Sequence, residues 1–247
     1  MIDCITITNN RFKSVLQTIE SVSAQDLHER RHIVVVDRCH KMLQLLREQQ
    51  VENPHLDVLF SGERHHDRDL DHLVYLRRMA LGYSSGDMVA YIDDDDTWDP
   101  NHLSTLVHHI RNADVALSSV RLVRENGEPA LLDKLCPWAS SSEEAKEQFN
   151  RLVEIGVYET GKNVSHPILQ RSPDGNLLIC GFTSASMFVG KTARSFSLNF
   201  THDLKYRKGE IHDAIYRIVN AGLNVNCLPQ TTVTYRLGGF SNGRLMF

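Results

Sequence analysis

The chain has 247 residues, 41% of them hydrophobic, and a formal net charge of −4. That length suits one α/β domain with a real core. The charge balance excludes a basic nucleic-acid footprint, and no 18-residue apolar run is present for a membrane span.

"MIDCITITNN" lacks the basic and apolar stretches of a signal peptide and reads as a first strand over "DCITIT". Phe12, Val15, Leu16, Ile19 and Val22 then recur at helical spacing. "HIVVVD", His32 to Asp37, is a β-branched run suited to a strand buried on both faces. "HKMLQLLREQQ" is helical, "LDVLF" is a third strand, and "SGERHHDRDLDH" is a polar loop. The helix "LVYLRRMALGY" leads to a fourth strand, "DMVAYI". Leu103, Leu106, Val107 and Ile110 mark a helix after Pro100, and "DVALSSVRLV" is a fifth strand. From about Glu125 to Phe182 the chain is rich in turn chemistry, with one amphipathic helix across Ser142 to Ile155. "SASMFVG" reads as a strand, "EIHDAIYRIVNAG" as a helix stopped by Gly222, and "NVNCL" and "TTVTYR" as two short strands. The five cysteines are scattered and form no CxxC pair, so reduced thiols in a cytoplasmic protein are expected.

Strands alternating with helices predict a Rossmann-like, mostly parallel central sheet flanked by helices. Residues 1–247 are read as one domain, divided into residues 1–123 and a smaller region at 124–247. In such sheets ligands bind beyond the carboxyl ends of the strands. Thr8, Asn9, Asn10 and Arg11 follow the first strand, Asp37 and Arg38 the second, and Asp93 to Asp96 the fourth. Four adjacent carboxylates repel one another and need a cation or donor groups to offset them. An oxygen-only donor set suits Mg²⁺ or Mn²⁺. A calcium loop starting at Asp93 fails, because its sixth position is Trp98 instead of Gly and its twelfth is Ser104 instead of Glu. An ion held by one or two carboxylates completes its shell with water and phosphate, which points to a nucleoside diphosphate.

The sequence resembles family 2 of the glycosyltransferases, with the GT-A fold. The family pattern P-T-Y-N-R before a helix ending near S-V-x-x-Q corresponds to "ITNNRFKSVLQTIESVSAQ". Its V-V-D-D corresponds to "VVVDRC", and its A-R-N-x-G followed by L-D-x-D-D-x-W-x-P to "LRRMALGYSSGDMVAYIDDDDTWDP". Its late G-E-D helix and Y-R-x-H-x-G-S segment are matched in outline by "KGEIHDAIYRIVNAG" and "TYRLGGFS".

The resemblance implies a hexosyltransferase that moves a sugar, with inversion, from a nucleotide donor, typically a UDP-sugar, to an acceptor hydroxyl, with a nucleotide-sugar-binding half at 1–123 and a smaller acceptor-side half at 124–247. The acceptor would be a glycan, a lipid-linked molecule or a small molecule, as in polysaccharide biosynthesis. Asp37 would accept from the base, with the backbone at Ile7 and Thr8 lining the same pocket and Asn10 and Arg11 beside it. Arg77 would sit near the base or diphosphate, Asp94 would hold the ribose, and Asp93 and Asp95 would hold the metal. The general base would head the late helix. There Ile211 stands where the family has aspartate, leaving Glu210, next to Gly209, or Asp213, one turn on and equally able to pair with Arg217. Gly238 stands at the family's late histidine, with His212 as an alternative metal ligand, and Arg38 stands at its second aspartate. Asp99 is expected to cap the following helix, and His65, His66, Asp67, Asp69, Asp71 and His72 to form a solvated loop. Two other classes stay open: a relative that binds nucleotide sugar or glycan without turnover, and a nucleotidyltransferase, which the glycine-free "TNNRFK" disfavours.

Overall fold

The computed structural model describes residues 1–66, 69–133, 136, 141–171, 175, 177–198 and 210–238. Asp67, Gly209 and the segment beyond Gly238 lie outside the described residues. The elements run β1 (Ile2–Thr8), α1 (Phe12–Ser23), β2 (Arg30–Asp37), α2 (His40–Glu52), β3 (Leu56–Ser61), α3 (Asp69–Tyr83), β4 (Met88–Tyr91), β5 (Thr97–Trp98), α4 (His102–Ile110) and β6 (Val115–Val123). There follow α5 (Ser142–Glu154), β7 (Val164–Ser165), β8 (Ile168–Arg171), β9 (Leu177–Cys180), a 3-10 turn (Thr183–Ala185), β10 (Ser186–Val189), α6 (Gly190–Ser195), α7 (Glu210–Asn220) and β11 (Val225–Arg236).

The main sheet has the order β3-β2-β1-β4-β10-β6-β11-β5, with β7 alongside β6, and β8 and β9 form a separate hairpin. Pairing of β1 with β2 and β4, of β2 with β3, and of β6 with β11 is parallel. Strand β10 is antiparallel to both β4 and β6.

Period-two alternation explains why the sheet is covered on both faces. Ile33 and Val35 pack with Leu76 and Ala80 of α3 and with Ile211 and Ile215 of α7. Val34 and Val36 turn the other way, onto Val15 and Ile19 of α1 and Met42 and Leu46 of α2. Cys4, Ala90 and Ile92 join Leu103 and Leu106 of α4. At the amino edge Asp3 is fully buried and ion-paired with Arg31 at 2.9 Å, and it accepts from Ser84 Oγ at 2.7 Å.

Three details differ from the sequence reading. "NVNCL" and "TTVTYR" are one strand, β11, whose register slips against β6 between Cys227 and Val233. The slips, around Pro229, let one strand absorb turn-like residues without ending. Helix α3 begins at Asp69, with Asp69 and Asp71 in its first turn where the helix dipole favours acids. His72 is therefore a buried helical residue and not part of a solvated loop. Asp99 does not cap α4, whose N-cap is Asn101, because its carboxylate pairs with Arg121.

Candidate active site

The parallel register decides which residues meet. Ile5 is level with Tyr91 across β1–β4, and Thr8 with Val36 across β1–β2. The carboxyl ends of β1, β2 and β4 thus share one edge, and the chain leaving each strand enters the same space. At the end of β4 the aspartates form a tight turn closed by the Asp96 N–H to the Asp93 carbonyl at 3.2 Å. Antiparallel β10 brings its amino end to this edge, since Ser186 is level with Tyr91. The preceding 3-10 turn delivers Ser184, whose Oγ accepts from the Asp93 N–H at 2.9 Å and whose carbonyl accepts from Trp98 Nε1 at 2.6 Å.

The four aspartates face four different environments. Asp93 accepts from Arg77 Nη2 at 2.6 Å. Asp94 accepts from Thr8 Oγ1 at 2.8 Å and Arg11 Nη1 at 3.0 Å. Asp95 pairs with the same Arg11 guanidinium. Asp96 is fully buried and accepts from the Arg236 N–H at 2.9 Å, tying β11 to the turn. Arginines therefore offset part of the charge. Burial nevertheless raises the Asp94 carboxyl above the ordinary value despite Arg11. Burial, then the charge of Asp93, pushes Asp95 up to about 6, with Arg11 opposing. Burial, then Asp95 and Asp93, pushes Asp96 well above the carboxylate range.

Arg77, 6% exposed, bridges two elements. One arm holds Asp93 and the other is ion-paired with Glu210 at the start of α7. The Glu210 Oε1 also accepts from Thr183 Oγ1 at 3.5 Å, while Oε2 is buried and has no hydrogen-bond partner among the described residues. Asp213 instead accepts from Arg217 Nε at 2.8 Å within α7, and Arg217 reaches on to the Ser197 carbonyl. Glu210 thus stands with the aspartate turn, and the bonds of Asp213 lead away from it.

Asp37, at the end of β2, forms a second polar centre. It accepts from Arg38 through Nε and Nη2, both at 2.8 Å, and from His72 Nε2 at 2.9 Å. Burial favours the neutral acid, but the Arg38 and His72 bonds outweigh it and hold Asp37 below the usual carboxylate range. Ile7 is half-buried in the core cluster beneath this edge. Asn10 is exposed and, with Arg11, Glu125 and Arg236, lines an open groove of about 590 Å³. Gly238 adopts a φ of 107° against the Glu125 side chain, which stands 2.3 Å from where a Cβ would lie. The backbone and Glu125 both exclude a histidine there without rearrangement.

Three participants were not assigned from the sequence: Ser184, Asp96 as an inward-facing anchor, and His72. Only His72 left a sequence signal, since His72, Leu76 and Ala80 repeat at one helical face and all are buried. Among the described residues no group of three His, Cys, Asp or Glu side chains is arranged to hold a metal ion. Asp93 and Asp95 set two carboxylates on one turn, an oxygen donor set of the kind that suits a hard cation, and in this structure they are paired with Arg77 and Arg11.

A family model described as "Glycosyl transferase family 2" matches residues 3–190. No curated protein matches the chain. Among solved structures, S. aureus TarS 1-349 in complex with UDP-GlcNAc is similar with a TM-score of 0.59 at 16% identity, over 100% of this chain and 61% of that one. The mannosyltransferase PcManGT from Pyrobaculum calidifontis, in complex with GDP-Man and Mn²⁺, is similar with a TM-score of 0.60 at 14% identity, over 95% of this chain and 56% of that one. The chain therefore spans about six-tenths of the length of these proteins. At that identity the likeness shows the fold: a curled, mostly parallel GT-A sheet with flanking helices.

Proposed function

The chain belongs to glycosyl transferase family 2, and from that premise we propose that it transfers a sugar from a nucleoside-diphosphate donor to an acceptor hydroxyl with inversion. The observation that carries this reading is the Asp93–Arg77–Glu210 bridge, which sets the aspartate turn and a second carboxylate on either side of one arginine. The structural neighbours named above were solved with a uridine and a guanosine nucleotide sugar, so a donor of this class suits the fold.

Asp93 and Asp95 would hold Mn²⁺ or Mg²⁺ together with the donor's diphosphate oxygens. When bound, the ion supplies Lewis-acid stabilisation to a departing diphosphate. Asp94, fixed by Thr8 and Arg11, would accept from the ribose. Arg11 and Arg77 add fixed positive charge where phosphate charge develops. Glu210 takes the acceptor proton: the acceptor oxygen bonds to the anomeric carbon, the bond from that carbon to the diphosphate oxygen breaks, and the proton passes to the carboxylate. Oε1 is committed to Arg77, which leaves Oε2 for the proton. Residues 124–247 are proposed as the acceptor-side half.

Release of free diphosphate nucleotide from a nucleotide sugar, with and without candidate acceptors, tests the proposal. Manganese-dependent turnover with a β-linked product from an α-linked donor is expected. Tight donor binding with no turnover by any donor would favour a non-catalytic relative.

A further inference from the structure

The base end of the site is built differently from the pattern that the sequence resembles. Arg38 is the one non-glycine residue with a positive φ among the described residues, at 55°. That conformation is unfavourable for a residue with a Cβ, which crowds the following carbonyl oxygen. Two interactions hold it: the Arg38 N–H donates to the Ser61 carbonyl at 2.8 Å, and the guanidinium folds back onto Asp37. His72 Nδ1 accepts from the His65 N–H at 3.4 Å, so Nε2 carries the proton and donates to Asp37 Oδ1. Asn9 Nδ2 adds a bond to Oδ2 at 3.4 Å.

The count of donors is what decides. Asp37 Oδ1 takes Arg38 Nε and His72, and Oδ2 takes Arg38 Nη2 and Asn9. A carboxylate has about four lone-pair sites, so these bonds fill it. A uracil N3–H would have to displace one of them. Arg38 uses its Nε–Nη2 side for this contact. Its Nη1 and the outer Nη2 hydrogen have no partner among the described residues, and the side chain is 35% exposed. That free end is a parallel pair of donors, the fork that reads two adjacent acceptors. Guanine offers such a pair at O6 and N7, whereas the two carbonyls of uracil are separated by a donor. Adenine sets an acceptor beside a donor there and matches only half of the fork. The distance also suits a nucleotide. Asp37 and the aspartate turn follow strands on either side of β1, ~10 Å apart at the sheet spacing.

We propose that Arg38, braced by Asp37 and His72, is the base-reading residue of this site and selects a guanosine diphosphate donor over a uridine one. This rests on the nucleotide-sugar reading above. The full chain would be titrated calorimetrically with GDP, UDP, CDP and ADP in Mn²⁺. GDP is expected to bind at least ~10-fold tighter than UDP and ADP, the low end of discrimination by one bidentate base contact, and no more weakly than CDP, whose N3 and O2 are also adjacent acceptors. Arg38→Asp, which tolerates the left-handed backbone, and Arg38→Lys, which keeps charge but loses the fork, should each lose GDP affinity by ~10- to 100-fold. Thermal unfolding would confirm that both variants fold. Equal or tighter binding of UDP, tightest binding of CDP, or undiminished GDP affinity in Arg38→Lys would overturn the inference and leave the nucleotide-sugar reading standing. Binding of none of the four would overturn both.

Discussion

At the scale of single residues, two carboxylates that were both candidates in the sequence, with Glu210 ranked first, have different surroundings. Glu210 has one oxygen on Arg77 and one without a partner among the described residues, beside the aspartate turn. Asp213 is committed to Arg217 one helical turn away. Glu210→Gln is expected to keep donor binding and lose ~10²-fold or more in transfer rate, the size of a general-base contribution. Asp213→Asn should change the rate far less and instead lower stability, since it leaves a buried carboxamide where an ion pair stood. Single-turnover transfer and urea unfolding of both variants separate the two effects. A large rate loss in Asp213→Asn alone would move the base along α7.

At the scale of elements, the aspartate turn works because three strands and one reversal converge on it. Strand β1 supplies Thr8, and the antiparallel approach to β10 supplies Ser184. Donor hydrogens hold the turn from several sides, so removing one carboxylate should leave the turn intact while removing its affinity for a cation. Asp95→Ala is therefore expected to abolish the manganese dependence of nucleoside-diphosphate binding without unfolding the protein. Equal diphosphate affinity of the wild type in chelator and in Mn²⁺ would remove the metal role. The reversal itself depends on a close approach. At the junction of β10 and α6 a Cβ on Gly190 would lie 2.3 Å from the Gly86 carbonyl, a backbone atom that cannot swing aside. Gly190→Ala should cost ~1–3 kcal/mol through forced displacement of the start of β4, read as a lower midpoint in urea.

At the scale of the whole molecule, stability depends on buried ionisable groups on both faces of the sheet. Burial, with Arg30 adding to it, pushes His32 down to about 3, and burial alone pushes His102 down to about 3. Unfolded histidines titrate near ~6.5. The folded values are depressed, so the unfolded chain binds protons first as the pH falls. This stability is complete above about 6.5 and lost between there and about 3, at up to ~1.4 kcal/mol per pH unit for each histidine. Asp3 adds a second window. Arg31, Ser84 and Gly86 outweigh its burial and hold its carboxyl below the ordinary value. Its contribution is present above ~3.9 and disappears as the pH falls through its folded value. Urea midpoints should fall from pH 7 to pH 5, and the slope should be smaller in His32→Gln. A flat profile would show that neither histidine is held neutral. Among the described residues no helix is long and apolar enough to cross a membrane.

The sequence alone determined whatever depends on local pattern. The β-branched run at His32 to Asp37, the helical spacing from Phe12 to Val22 and the acidic run after the fourth strand each follow from neighbours within a few residues. The order of these features was enough for the mostly parallel sheet and for placing three polar clusters on one edge. What it did not decide were pairings between distant residues of the same type. Glu210 and Asp213 differ only in which arginine each meets, and that depends on how α7 packs on α3. His72 looked like one more polar loop residue until the start of α3 turned it onto Asp37. The four aspartates carry the same charge in the sequence, yet the fold surrounds Asp96 completely and gives Arg11 to Asp94 and Asp95 together. Burial and charge pairing are properties of three-dimensional neighbours, and only the tertiary structure brings residues 77 and 210, or 37 and 72, within bonding distance.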